Sequence, residues 1–184
     1  MPQLTDSYKK QLEQLHGSNK MGKNSRRKVP KLFNIPEFLS TYNPSSIIDY
    51  GCGSGSLVKY LSKDYPLVHG YDPCVEHYCK YPKRVYDVLI SMDVLEHIEP
   101  DFLDINLKDI YKLFSKAAYL DIHTSASPTL LPDGRNAHLI QEQPDFWREK
   151  ILYNMDVKIV NEFWREPVKE NAKVFNYVFF VEKQ

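Results

Sequence analysis

The chain has 184 residues, of which 42% are hydrophobic, with 24 basic and 24 acidic side chains. That length suits a single domain with a sizeable core, and that hydrophobic content excludes wholesale disorder. The balanced charge argues against a dedicated nucleic-acid scaffold, and no apolar run approaches the roughly 18 residues that span a bilayer.

Taken in order, the chain opens on a polar stretch, Met1 to Lys20, that has no apolar centre and does not read as a signal peptide. Leu4, Tyr8, Leu12 and Leu15 recur at helical spacing. Gly17 to Lys28 is rich in Gly, Ser, Asn, Lys and Arg, with a basic cluster at Lys23, Arg26, Arg27 and Lys28. It reads either as a solvated arm or as a flap over a bound ligand. Pro30 to Tyr42 predicts a helix with Leu32, Phe33, Ile35, Phe38 and Leu39 inward. Residues 1–42 are thus a helical extension with a flexible arm, and residues 43–184 are the core of the domain. The three cysteines, Cys52, Cys74 and Cys79, are odd in number and lack a metal-ligand spacing. They predict free thiols in a reducing, cytoplasmic setting.

Ser46 to Tyr50 is a short apolar run that suits a buried strand. Gly51, Gly53 and Gly55 follow at alternate positions, then a helix carrying Leu57, Val58 and Leu61, for which Ser54 or Ser56 is the expected cap. The turn is either an ordinary strand-to-helix connection or a cradle of backbone N–H groups for a ligand. Further strands are expected at Leu67–Tyr71, Val85–Ser91, Ala117–Thr124, Val157–Trp164 and Val174–Glu182. Helices are expected over Asp101–Phe114 and from Gln143 or Asp145 through Leu152, and Arg165–Lys173 should join a closing hairpin. Alternating strands and helices that end in a hairpin predict a three-layer α/β domain with a mostly parallel sheet.

In such sheets ligands bind at the carboxyl ends of the strands. Those ends offer Asp49 with the glycine loop, Asp72, then Ser91, Met92 and Asp93 with Glu96 and His97, then His123 and Thr124. Asp72 follows the loop at roughly the distance where an acid can accept both hydroxyls of a ribose.

Asp49-Tyr50-Gly51-Cys52-Gly53-Ser54-Gly55 resembles the first motif of the class I S-adenosylmethionine-dependent methyltransferases. Gly70-Tyr71-Asp72-Pro73 resembles their second, acidic motif, and Tyr86 to Ile98 resembles their post-adenine strand and the start of the next helix. The resemblance implies a Rossmann-like fold with a C-terminal antiparallel hairpin, and S-adenosylmethionine as cofactor with S-adenosylhomocysteine as product. It implies that Tyr50, Gly51, Cys52 and Gly53 pass backbone along the methionine part and that Asp49 holds the amino group. Asp72, beside Pro73, would take the ribose, and Ser91, Met92 and Asp93 would line the pocket under the sulfonium. The family's third strand does not fit between Pro73 and Tyr86, so that region is expected to be shortened, leaving Pro73, Cys74, Tyr78 and Tyr81 as the local residues near the adenine.

Asp93, Glu96 and His97 fall at i, i+3 and i+4, which on a helix is one face. The pattern is similar to the Glu-x-x-Glu-His cluster of ubiquinone-pathway O-methyltransferases and small-RNA 2′-O-methyltransferases, where it works with a divalent metal. Asp93 replaces the first glutamate, and His138 stands before Phe146-Trp147 in a broadly similar place to a later histidine of the small-RNA group. Glu96, His97 and His138 are taken as the catalytic candidates, with a histidine as general base. A divalent metal is an alternative, and no residue is assigned to one. The loop Leu130 to His138 and the Asp93 to Asp101 segment resemble a group of small bacterial and phage methyltransferases. The expected reaction is methyl transfer to an oxygen of a small molecule. The motif of amino-group DNA methyltransferases is absent after Ser91, so nucleic acid is not the expected acceptor. The alternatives are an RNA 2′-O-methyltransferase using the basic arm and a non-catalytic, cofactor-binding partner subunit.

Overall fold

Ile47 to Tyr50 forms β1 because four successive side chains are buried, two against each face of the sheet. Both neighbours run parallel to it, β2 (Val68–Tyr71) and β3 (Tyr86–Met92). The computed structural model describes residues 3–17, 34–165 and 175–184. β4 (Phe114–His123) continues the parallel set, and β6 (Asn176–Lys183) and β5 (Val157–Trp164) close it as an antiparallel pair, giving the order β2-β1-β3-β4-β6-β5.

Side-chain alternation divides the core between the two faces. Ile47, Val88, Ile90, Tyr119, Val178 and Phe180 pack against α2 (Ile35–Tyr42) and α3 (Ser56–Leu61). Ile48, Leu89, Leu120, Ile122, Phe179 and Val181 pack against α4 (Leu103–Tyr111) and α5 (Pro144–Asn154). The three-layer sheet with its terminal hairpin is the expected Rossmann-like fold. The third-strand region is shortened as expected: residues 72–85 contain only a 3-10 turn, Glu76–Tyr78.

Three local expectations are corrected. The helix expected over Asp101–Phe114 is a 3-10 turn at Pro100–Phe102 followed by α4, and Phe114 already belongs to β4. Its apolar spacing merges with that of the strand, so the sequence pattern has no break there. α3 is not capped by Ser54 or Ser56; its N-cap is Gly55 in the left-handed region at φ 73°, with no side-chain cap. Asp93, Glu96 and His97 do not share a regular helical turn. Asp93 has φ 53°, and the helical residues are a 3-10 turn, Leu95–His97. The Gly17–Lys28 arm, beyond Gly17, and most of the hairpin linker lie outside the described residues.

The N-terminal helix α1 (Asp6–Gly17) packs on the segments that follow β3 and β4. Tyr8 and Leu15 are buried with Leu131 and Ala137 of the loop after β4. The Thr5 N–H and hydroxyl both donate to the Glu99 carboxylate, and the Tyr8 hydroxyl donates to the His97 carbonyl at 2.5 Å. Gln11 reaches Asp133 at 2.9 Å. The extension is therefore a roof over one end of the sheet.

Candidate active site

Two groups of residues meet at the carboxyl edge. The first is the glycine loop. Gly51, Gly53 and Gly55 all have positive φ, at 77°, 51° and 73°. The Gly51 and Cys52 N–H groups donate to the Tyr71 carbonyl, and the Gly53 N–H donates to Asp72 Oδ2 at 3.0 Å. Asp72 Oδ1 accepts the Cys74 N–H at 2.9 Å, so this buried carboxylate ties the loop to the turn after β2. Tyr78 lies across Gly55, and Val58, Cys52 and Tyr78 together crowd Gly70, leaving no room for a side chain at either. Tyr81 stacks edge-on Tyr71 at 5.4 Å and hydrogen-bonds Asp109, which ties it to α4.

Asp49 ends β1 beneath this loop. Among the described residues its carboxylate has no hydrogen-bond partner. Burial, then the charge of Asp72, pushes it up to about 7. Burial, then the charges of the same two carboxylates, raises the Cys52 thiol. Among the described residues the buried Ser91 hydroxyl also has no partner. Tyr50 and Met92 contribute backbone here: the Tyr50 ring packs on Tyr71 in the core, and Met92 packs on the α2–α3 face. Pro73 is half-buried beside Cys74.

The second group surrounds Glu96. Asp93 leaves β3 with its N–H on the Asp121 carbonyl. Asn176 donates to Asp93 Oδ1 at 2.5 Å and to Asp121 Oδ1 at 2.7 Å, and Arg165 pairs with Asp121 Oδ2 at 2.6 Å. Burial, then the charge of Asp93, raises Asp121 despite Arg165. Glu96 is fully buried; its Oε1 accepts the His123 N–H at 3.2 Å, while Oε2 has no partner among the described residues. Burial, with Asp93 beside it, pushes this carboxyl well above its usual range.

His97 and His138 come from different segments and meet with ring centroids 4.8 Å apart; His123 stacks on the far side of His138 at 4.6 Å. The loop that brings His138 is organised by Asn136. Its Oδ1 accepts the Ser127 and His138 N–H groups, and its Nδ2 donates to the Ser127 carbonyl. His97 Nδ1 lies 2.7 Å from the Ala137 carbonyl and His138 Nδ1 lies 2.6 Å from the Ser125 carbonyl. A carbonyl only accepts, so both rings carry a proton on Nδ1. Burial, then His138, lowers His97 to about 4, so it is uncharged at neutral pH. One atom from each of Glu96, His97 and His138 lies within 4.8 Å of the other two.

The sequence matches the family described as a methyltransferase domain over residues 21–177. The chain belongs to that family. Among solved structures, an S-adenosylmethionine-dependent methyltransferase from Clostridium acetobutylicum superposes with a TM-score of 0.68 at 12% identity, over 94% of this chain and 98% of that one. The Burkholderia thailandensis 1,6-didemethyltoxoflavin-N1-methyltransferase, solved with that molecule and S-adenosylhomocysteine, gives 0.65 at 13% identity, over 100% and 92%. Magnesium protoporphyrin IX methyltransferase from Synechocystis, with S-adenosylhomocysteine, gives 0.59 at 15% identity, over 100% and 90%. No curated protein matches the sequence. No described helix is long and apolar enough to cross a membrane.

The chain is a methyltransferase by family, its solved neighbours are named for S-adenosylmethionine or hold S-adenosylhomocysteine, and the charge of its first group of residues suits a cationic methyl donor. Asp49 and Asp72 are neighbouring buried carboxylates, and among the described residues Asp49 has no hydrogen-bonded cation to offset their repulsion. A cationic ligand offsets both the desolvation and the mutual repulsion. The orphaned Ser91 hydroxyl supplies a further polar contact. The sign of the pH dependence follows. Below about 7 Asp49 is protonated in the free protein, and a cation binds the ionised form. Affinity for S-adenosylmethionine is expected to be full above that pH and to fall by up to about tenfold per unit below it. Calorimetry across pH checks this. Asp49→Asn should give a weaker, flat profile, and an unchanged slope in that variant would assign the titration elsewhere.

The residues that sequence patterns passed over are Asp121, Arg165, Asn176 and Tyr8. A charge inside the otherwise apolar buried run of β4 was the available signal for Asp121. Asn176 had none, because only the antiparallel register of β4 and β6 brings it to Asp121.

Proposed function

We propose that this methyltransferase methylates an oxygen atom of a small molecule, with Asp49, Gly51, Cys52, Gly53, Asp72, Ser91 and Asp93 on the cofactor side and Glu96, His97 and His138 on the acceptor side. The supporting observation is the roof over the second group. α1 is anchored to the His97 carbonyl, to Glu99 and to Asp133, and it packs on the loop that carries His138. A covered site suits a compact acceptor better than a polymer. Two similar proteins, cited above, are named for small acceptors, which agrees with this reading.

The cofactor supplies a methyl group already activated as a sulfonium substituent. The protein's work is then alignment and exclusion of water. Asp49 and Asp72 would fix the donor end through charge and hydrogen bonds. Asp93, held by Asn176, would add negative charge near the transferred group. With Nδ1 of each ring held by a backbone carbonyl, Nε2 of His97 or His138 would receive the acceptor's proton or orient its oxygen.

The test is a screen for S-adenosylhomocysteine release with small phenols and alcohols, small amines, and RNA oligonucleotides. Release with a small hydroxyl compound and none with RNA is expected. Release with RNA alone would move the reading to a 2′-O-methyltransferase, and the absence of release with every acceptor would favour a non-catalytic partner subunit.

A further inference from the structure

We propose that Phe175 and His123 form a stacking wall beside the acceptor site, and that the acceptor is a planar aromatic hydroxyl compound that lies against it. The choice of oxygen as acceptor atom rests on the function proposed above; the wall and the class of ring it takes do not.

The first observation is a ladder of four rings from four separate segments. Phe175, just before β6, lies on His123 at the end of β4, with centroids 5.7 Å apart and planes 39° apart. His123 lies on His138 at 4.6 Å, and His138 meets His97 at 4.8 Å. These separations fall in the range of about 4.5–7 Å over which aromatic rings attract. The ladder runs from an exposed ring inward to the two imidazoles on the acceptor side. A flat ring laid on its outer end therefore has a continuous path of like surfaces towards those imidazoles.

The second observation is how Phe175 is held. It is 40% exposed, and its carbonyl accepts both the N–H and the hydroxyl of buried Thr124, at 2.7 and 2.8 Å. A single exposed apolar side chain is ordinary on a protein surface. Phe175 differs because its backbone is tied to the end of β4, the residue next to His123, and its ring is kept at the site edge of the sheet instead of entering the core. One part of the ring is covered by His123 and the rest is open to a ligand.

The third observation is that His123 is also fixed. Its N–H donates to Glu96 Oε1 at 3.2 Å, and its Nδ1 lies 3.1 Å from the Ser125 carbonyl. The wall is therefore set before an acceptor arrives, so stacking on it costs little ordering of the protein. A saturated ring would gain from this wall by burial alone. A planar aromatic ring gains burial and, in addition, the ring–ring attraction, which amounts to about two- to tenfold in affinity.

The experiment saturates the full chain with S-adenosylhomocysteine and titrates it by calorimetry with naphthol and with decahydronaphthol. The two share a hydroxyl and a fused two-ring frame and differ in planarity. Naphthol is expected to bind more tightly. Phe175→Leu keeps apolar bulk and removes the ring, so it should weaken naphthol by about two- to tenfold and leave decahydronaphthol unchanged. Phe175→Tyr keeps the ring and should retain naphthol affinity. Unchanged S-adenosylhomocysteine affinity in both variants shows that they are folded. No naphthol binding by the wild type, equal binding of the two compounds, or naphthol affinity unchanged in Phe175→Leu overturns the wall. The acceptor screen separates this failure from failure of the oxygen reading. Aromatic amines methylated in place of phenols would sustain the wall and overturn oxygen, whereas aliphatic alcohols methylated in place of phenols would sustain oxygen and overturn the wall.

Discussion

Gly51→Ala is expected to weaken S-adenosylhomocysteine binding by at least about 100-fold. Two effects add. The residue sits at φ 77°, where a side chain costs about 1–2 kcal/mol. A Cβ at this position would also overlap both methyl groups of Val94. Overpacking of that kind costs about 1–3 kcal/mol unless the backbone shifts. The backbone that would shift is the loop whose Gly51 and Cys52 N–H groups are fixed to Tyr71 and whose Gly53 N–H is fixed to Asp72. The loop geometry and the ligand contacts thus share the same atoms. At about 1.4 kcal/mol per tenfold, the sum reaches the expected loss. A second substitution separates clash from strain. Val94→Ala removes the two methyl groups, so Gly51→Ala/Val94→Ala should recover part of the affinity and leave the conformational cost. Calorimetry on the two variants and on Val94→Ala alone decides the matter. Wild-type affinity in Gly51→Ala, or no recovery in the double variant, would mean that the loop's shape does not set the cofactor site.

This loop was legible in the sequence because its physics is local. A buried apolar run, three glycines and a short helix specify strand, turn and helix without reference to the rest of the chain. The acids at the ends of β1 and β2 were legible for the same reason. The cap was not: nothing in Gly55-Ser56 says that glycine, with its positive φ, ends the turn while the neighbouring serines bond each other at 3.3 Å. Asp93 failed differently. Its spacing to Glu96 and His97 suggested a helix face, but a left-handed aspartate interrupts the chain, and that conformation is stabilised by Asn176 and the Asp121 carbonyl from distant strands. The nearness of His138 to His97 was suggested by resemblance alone. What produces it is the Asn136 network within a loop of irregular backbone, and periodicity carries no information about such a loop. The roof formed by α1 was half legible: its apolar spacing was visible, but its anchors, Glu99 and the His97 carbonyl, could only be seen in three dimensions.

His138→Ala is expected to lower turnover by about 10²–10⁴-fold while S-adenosylhomocysteine affinity stays within a few-fold of wild type. The magnitude is that of removing a group that moves or stabilises a proton in the transition state. The separation from cofactor affinity follows from the layout. The glycine loop, Asp49 and Asp72 are held by contacts among themselves, and none of the hydrogen bonds of His138 reaches them. Glu96→Gln sharpens the result. Glu96 is fully buried with one oxygen on the His123 N–H, and glutamine preserves its shape and that bond while removing the charge. If the histidines act as bases without a cation, Glu96, whose hydrogen bond goes to the His123 N–H and to neither ring, does not carry the proton and its substitution should cost less than that of His138. If Glu96, His97 and His138 hold a cation, its substitution should approach the loss seen in His138→Ala, and a chelator should lower wild-type turnover to a similar level. Steady-state rates for the two variants, measured with and without added manganese, distinguish these outcomes. Wild-type turnover in both variants would return Glu96, His97 and His138 to a structural role, as the polar groups that join the turn after β3 to the loop after β4.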